Sequence, residues 1–92
     1  METKRAYRLI EHKDAQKFLR KQNKDFREKI YKAYNEIITN PFNNVDSKKM
    51  KGYENRYRKR VGDFRIIYEI RNMELLIIVI TIDSRGQVYK NL

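Results

Sequence analysis

Apolar and polar positions along the chain follow two rhythms, a helical one first and a strand-like one after. Tyr7-Arg8-Leu9-Ile10 reads as a short first strand. From about Lys13, Ala15, Phe18 and Leu19 recur at the i, i+3, i+4 spacing of an amphipathic helix. Asn23, Lys24 and Asp25 interrupt that pattern, and Asp25 with Glu28 three positions later predicts a capping box for a second helix. Phe26, Ile30, Ala33, Tyr34, Ile37 and Ile38 trace one face of that longer helix. Asn40-Pro41 ends it, because the proline ring disfavours helical geometry in the residue before it. The join between the two helices is short enough to require an antiparallel hairpin or a shallow V.

After a polar loop from Asn43 to Lys48, the period shifts to two. Arg56 to Val61 and Phe64 to Ile70 are predicted strands, with Gly62-Asp63 as the turn between them. Asn72-Met73 offers a second turn, and Leu75 to Ile82 a third strand. That last run is apolar except for Thr81, which predicts a central strand buried on both faces. Arg85-Gly86 breaks it, and Val88 to Lys90 is a candidate edge strand. No repeat, linker or low-complexity tract divides the chain, so residues 1–92 are expected to form a single domain. The order βααβββ(β) predicts an α+β fold. Two N-terminal helices should pack on one face of a mainly antiparallel sheet of four to five strands.

Charge changes this picture from a fold into a surface. The chain carries 22 Lys/Arg against 12 Asp/Glu, a net charge of +10. Lys48 to Arg65 holds eight of those cations (Lys48, Lys49, Lys51, Arg56, Arg58, Lys59, Arg60 and Arg65) against Glu54 and Asp63, so +6 falls on 18 residues. Tyr53, Tyr57 and Phe64 are interleaved with them. Guanidiniums grip phosphate oxygens through paired N–H donors, and aromatic faces stack on bases. A polyanion, RNA first, is the implied ligand. In a strand Arg58 and Arg60 point to the same side, and Arg65 lies just across the Gly62-Asp63 turn. Three guanidiniums are therefore expected on the sheet face that the helices leave open. A merely solvated basic face is the plain alternative. A membrane surface fits less well, since the cations sit in strand-like sequence and not on an amphipathic helix.

Familiar catalytic sets are missing. With no cysteine there is no disulfide or thiolate metal site, and His12, the one histidine, reads as a helix cap or surface residue. The carboxylates are scattered, Ser47 and Ser84 have no nearby histidine, and Gly52, Gly62 and Gly86 are isolated turn residues. No metal and no cofactor are expected. No apolar run approaches the roughly 20 residues that span a bilayer, and METKRAYRLIEHK lacks the apolar core of a signal peptide; a soluble, cytoplasmic protein is the expectation. If the chain is an enzyme, Arg, Lys and Tyr must carry the chemistry. Cleavage of RNA by its own 2′-hydroxyl suits such a set, since the nucleophile belongs to the substrate. The protein then aligns it, removes a proton and neutralises the phosphorane. A tyrosine could serve as proton acceptor or could stack on a base, and the sequence leaves both open.

MKGYENRYRKRVGDFRIIYEI and LLIIVITIDSRGQVYKNL together resemble the RelE branch of the RelE/ParE toxin superfamily. The family pattern is a Lys-Gly or Arg-Gly step, a basic strand, G-[DN]-[YF]-R-[ILV]-[ILV]-Y, an apolar strand, and an Arg with V-Y close behind. Here these are Lys51-Gly52, Tyr57 to Val61, Gly62 to Tyr68, Leu75 to Ile82, and Arg85 with Val88-Tyr89. The resemblance implies the toxin of a type II toxin–antitoxin pair, a metal-independent endoribonuclease that cuts mRNA in the ribosomal A site. It implies Arg58, Arg60, Arg65, Arg85 and Tyr89 as catalytic residues. Lys48, Lys49, Lys51, Arg56 and Lys59 would contact RNA and the ribosome. The implied partners are a cognate antitoxin, in a hetero-oligomer, and the ribosome with its mRNA, with no membrane. Many relatives have a histidine before the tail arginine; Ser84 stands there, which implies a mechanism without it. A ParE-like toxin that inhibits gyrase and a catalytically silent RNA-binding module are the alternatives.

Overall fold

The computed structural model describes residues 6–84. Strand β1 (Arg8–Glu11) leads into helix α1 (Lys13–Arg20) and helix α2 (Lys24–Thr39). Four strands follow: β2 (Ser47–Lys49), β3 (Arg56–Val61), β4 (Phe64–Arg71) and β5 (Leu76–Ser84). They form one sheet in the order β1-β5-β4-β3-β2, with β1 parallel to β5 and every other pairing antiparallel. Both helices lie on one face of it, α1 against β1 and β5, α2 against β1 and β3. This is the α+β arrangement that the sequence predicts.

Local chemistry sets the helix ends. His12 caps α1, its Nδ1 accepting the Asp14 backbone N–H at 3.3 Å. The cap of α2 is Asn23 and not Asp25, since the Asn23 Oδ1 accepts the Phe26 N–H at 2.8 Å. The helix therefore starts two residues earlier than its acidic residues suggest. Ile30, Ala33, Tyr34 and Ile37 form the buried stripe of α2 and meet Ile66, Tyr68, Ile70, Ile77, Val79 and Ile82 of the sheet. Phe18, Phe26 and Phe64 close the core beside the helix junction, with ring centroids 4.7–5.8 Å apart.

Three strand expectations change. The stretch read as a polar loop from Asn43 to Lys48 ends in the edge strand β2, whose Lys48 pairs with Arg58. Three polar residues give no apolar alternation, so the pairing comes from the partner strand and not from intrinsic preference. The fifth strand of the described sheet is thus β2; the candidate edge strand Val88 to Lys90 lies outside the described residues. Strand β5 is central, but it is buried only on its helix side. Leu76, Ile78 and Ile80 stay half-buried, because no described element covers the far face. A bulge resets its alternation: Ile67 pairs with Thr81 and Tyr68 with Val79, leaving Ile80 as the extra residue. Ile82 consequently turns to the core, and Thr81 and Asp83 come to face the same side as Ile67 and Arg65.

Candidate nucleic-acid interface

The pleat of β3 sorts its cations. Tyr57 and Lys59 are buried toward the helices, while Arg58 and Arg60 are exposed on the open face. The two-residue turn at Gly62-Asp63 needs a positive φ at its first position, which Gly62 supplies at 61°. That tight turn sets Arg65 directly opposite Arg60 in the β3–β4 register, and the separate β2–β3 pairing sets Lys48 directly opposite Arg58. Lys48, Arg58, Arg60 and Arg65 accordingly line one groove of about 410 Å³, together with Asp46 and Ser47. Like charges so close repel, and water, salt and the Asp46 carboxylate 3.8 Å from Arg60 offset that repulsion in the free protein. A phosphodiester placed there would meet four cations at once.

At the other end of the strand the charge is quenched. Arg56 reaches Glu69 at 3.7 Å and lies over the Tyr53 ring at 4.8 Å, and Glu69 also accepts from the Arg71 Nε at 2.9 Å. Arg56 thus faces the open side but is already engaged. Lys49 and Lys51 are exposed, on the edge strand and in the turn beyond it. Arg85 and Tyr89 lie outside the described residues.

Lys59 corrects the sequence reading. It was expected among the RNA- and ribosome-binding cations, yet it is 1% exposed. Its three ammonium donors are used by the Glu36 Oε1 at 2.9 Å, the Asn44 Oδ1 at 2.9 Å and the Val45 carbonyl at 2.5 Å. A buried cation is tolerated because each donor has a partner and one partner is anionic. The signal was present in the sequence: Lys59 shares its phase with Tyr57 and Val61, the two apolar positions of the strand. The interleaved aromatics also divide. Tyr57 stacks on Tyr68 inside the core and Phe64 packs on the helices, leaving Tyr53 as the exposed ring of the three.

A polar lattice under the groove fixes the segment that enters β2. The Tyr68 hydroxyl lies 2.7 Å from the Ser47 Oγ, accepts from the Asn44 Nδ2 at 3.1 Å and donates to the Pro41 carbonyl at 3.1 Å. Burial pushes the Tyr68 pKa up, against the opposing pull of the Ser47 and Asn44 hydrogen bonds. With Lys59, these contacts hold residues 41–47 against the sheet and so aim Asp46 and Lys48 into the groove. Asp46 is the residue that sequence reasoning missed. It has a φ of 59°, its carbonyl accepts the Arg60 N–H at 2.9 Å, and its carboxylate stands 3.8 Å from the Arg60 guanidinium. One acid in a polar loop carries no sequence signal of a site. Among the described residues no three His, Cys, Asp or Glu side chains are grouped to hold a metal ion, and no described helix is long and apolar enough to cross a membrane.

The profile of a family described as the ParE toxin of type II toxin-antitoxin system, parDE, matches residues 9–89. The chain belongs to the RelE/ParE superfamily of toxins. A Methanocaldococcus jannaschii protein described as "Putative toxin RelE1" is 35% identical over 77 residues, covering 77% of this chain and 86% of that protein. Among solved structures, the archaeal RelE–RelB complex from Pyrococcus horikoshii matches with a TM-score of 0.78 and 26% identity, over 89% of this chain and 98% of that one. The RelB–RelE antitoxin–toxin complex from Methanococcus jannaschii matches with a TM-score of 0.71 and 29% identity, over 90% and 98%. These likenesses agree with the RelE resemblance carried by the second half of the sequence.

Proposed function

We propose that this RelE-type toxin is an endoribonuclease that cuts mRNA in the ribosomal A site by attack of the RNA's own 2′-hydroxyl. The observation that carries the reading is the groove in which Lys48, Arg58, Arg60 and Arg65 converge. In-line attack places extra negative charge on the phosphorane oxygens, and fixed cations stabilise that charge more in the transition state than in the ground state. Four protein cations lining the groove would supply, without a metal, the positive charge that the phosphorane calls for. Arg85 and Tyr89 are assigned to the same site by the family pattern, with Tyr89 stacking on a base or moving a proton. Lys51, exposed in the turn beyond β2, and Lys49, which leaves the edge strand on the side opposite Lys48, extend the contact to ribosomal RNA from outside the groove.

The partner is a cognate antitoxin. The related archaeal toxins are complexed with antitoxins, and a chain of net charge +10 suits an acidic segment that wraps its surface. The family description names ParE, so a gyrase-inhibiting toxin is the second reading; the dense basic strand favours RNA.

Primer extension on an mRNA translated in vitro decides between them. Added protein should produce cuts within the codon in the A site, only when ribosomes are present. The products should end in a 2′,3′-cyclic phosphate and a 5′-hydroxyl. Products with a 5′-phosphate overturn the mechanism. Intact mRNA with inhibited gyrase supports the ParE-like reading, and RNA binding without either effect supports a silent module.

A further inference from the structure

The proposed reaction needs a group to take the proton of the 2′-hydroxyl, and the cations of the groove are ill suited to it. Arg58, Arg60 and Arg65 stay protonated and have no acceptor atom, and Lys48 adds an ammonium. The Ser47 hydroxyl is engaged with the Tyr68 hydroxyl at 2.7 Å. Asp46 alone among the groove's lining residues brings an anionic oxygen.

We propose that Asp46 is the general base of this groove, a role that rests on the endoribonuclease reading above. Its carboxylate takes the proton as the O2′–H bond breaks, and the freed 2′-oxygen forms a bond to phosphorus. The P–O5′ bond breaks, and the 5′-oxygen takes a proton from water. Protonated Asp46 then returns its proton to solvent, so no other reactant is consumed.

Geometry supports the assignment. The carboxylate lies 3.8 Å from the Arg60 guanidinium, so base and charge stabiliser stand side by side. The 2′-oxygen and the phosphate oxygens of one nucleotide are likewise close neighbours, and the pair can engage both. The backbone of Asp46 is held from both sides, by the Arg60 N–H on its own carbonyl and by Lys59 on the carbonyl of Val45. Its φ of 59° is a left-handed conformation that aspartate and asparagine adopt more readily than most residues. A purely structural clamp on Arg60 is the competing account. With the two side chains 62% and 52% exposed, such a clamp is weak.

The test uses Asp46→Asn in the full chain, on ribosomes programmed with mRNA. Asparagine keeps the size, the left-handed backbone and an acceptor for Arg60, but removes the base. The single-turnover cleavage rate should fall on the order of 10²- to 10⁴-fold, with ribosome affinity unchanged or tighter. The wild-type rate should decline on the acid side of its pH optimum, and that limb should vanish in the variant. Among the described residues, the charged groups that share the groove with Asp46 are Lys48 from β2, Arg58 and Arg60 from β3 and Arg65 from β4, and all remain. Asp46→Gly, which also accommodates the positive φ, should regain rate when formate is added, a rescue that a structural role does not give. A rate within threefold of wild type, an acid limb retained, or a loss of affinity equal to the loss of rate overturns the assignment of Asp46. A wild-type protein that cuts no RNA overturns the endoribonuclease reading and this role with it.

Discussion

Arg58 and Arg60 stand over an open groove, while Lys59 between them is 1% exposed and gives its ammonium to Glu36, Asn44 and Val45. Side by side in one strand, these cations have opposite work. The outward pair stays exposed to a ligand, Arg60 with only the loose Asp46 contact at 3.8 Å, whereas the inward lysine spends all of its donors on the protein. A run of basic residues is therefore not one feature. The pleat of a β-strand divides it into a surface and a support, and the support determines where the surface points. Lys59 holds the carbonyl of Val45, the residue before Asp46, and Asp46 and Lys48 form one wall of the groove.

Paired substitutions test that division most strongly. Lys59→Ala should lower unfolding stability by about 3 kcal/mol, the low end for breaking a buried pair because Glu36 keeps partial access to water. Arg58→Ala should leave stability within about 0.5 kcal/mol. The order reverses in cleavage, where Arg58→Ala should slow the single-turnover step by about 10²-fold. Urea midpoints and rates measured on the same two proteins give the comparison. A Lys59→Ala loss as small as that expected for Arg58→Ala would show that Lys59 supports nothing.

Legibility from sequence follows the same division. The helical stripe of Ile30, Ala33, Tyr34 and Ile37 and the Gly62-Asp63 hairpin were readable, since each rests on local periodicity or one turn residue. So was the convergence of Arg58, Arg60 and Arg65, which needs only strand alternation and a tight turn. Strand β2 was not, because Ser47, Lys48 and Lys49 have no apolar phase and take their conformation from β3. The bulge at Ile80 was also hidden, since an uninterrupted apolar run looks the same with or without an extra residue. Asp46 depends on tertiary placement, and no local pattern could have brought it to Arg60. Lys59 is the opposite case: its phase with Tyr57 and Val61 marks it as inward although its charge suggests the surface.

A smaller effect should come from the second layer of the support. Tyr68→Phe removes the hydroxyl that joins Ser47, Asn44 and the Pro41 carbonyl, and should cost about 1–2 kcal/mol at neutral pH. The pH dependence has a definite sign. Burial raises the Tyr68 pKa in the folded state, so its contribution is fully present below the unfolded value of about 10 and is lost as pH rises above it. The wild-type protein should lose stability above about pH 10, and the Phe variant should lose less. Some alkaline loss should persist, because burial and the Glu11 hydrogen bond raise the Tyr34 pKa in the same direction. Parallel alkaline curves for variant and wild type would show that Tyr68 titrates alike in both states.

The smallest expected effect reads the surface alone. Each phosphate neutralised on RNA contributes about 0.7 to 0.9 to the slope of log K against log salt. Arg58→Ala should flatten the slope for ribosome or RNA binding by about that amount. Lys59→Met should leave it unchanged, since a cation already paired with Glu36 inside the protein releases no counterion from the nucleic acid. Arg56→Ala should fall between them: its guanidinium faces the open side but is held by Glu69 and Tyr53, so it meets a phosphate only by giving up part of that contact. The three slopes rank these cations by how free they are before RNA arrives. A slope change for Lys59→Met as large as that for Arg58→Ala would mean that the lysine leaves its buried partners on binding, and the division between surface and support would then hold only in the free protein.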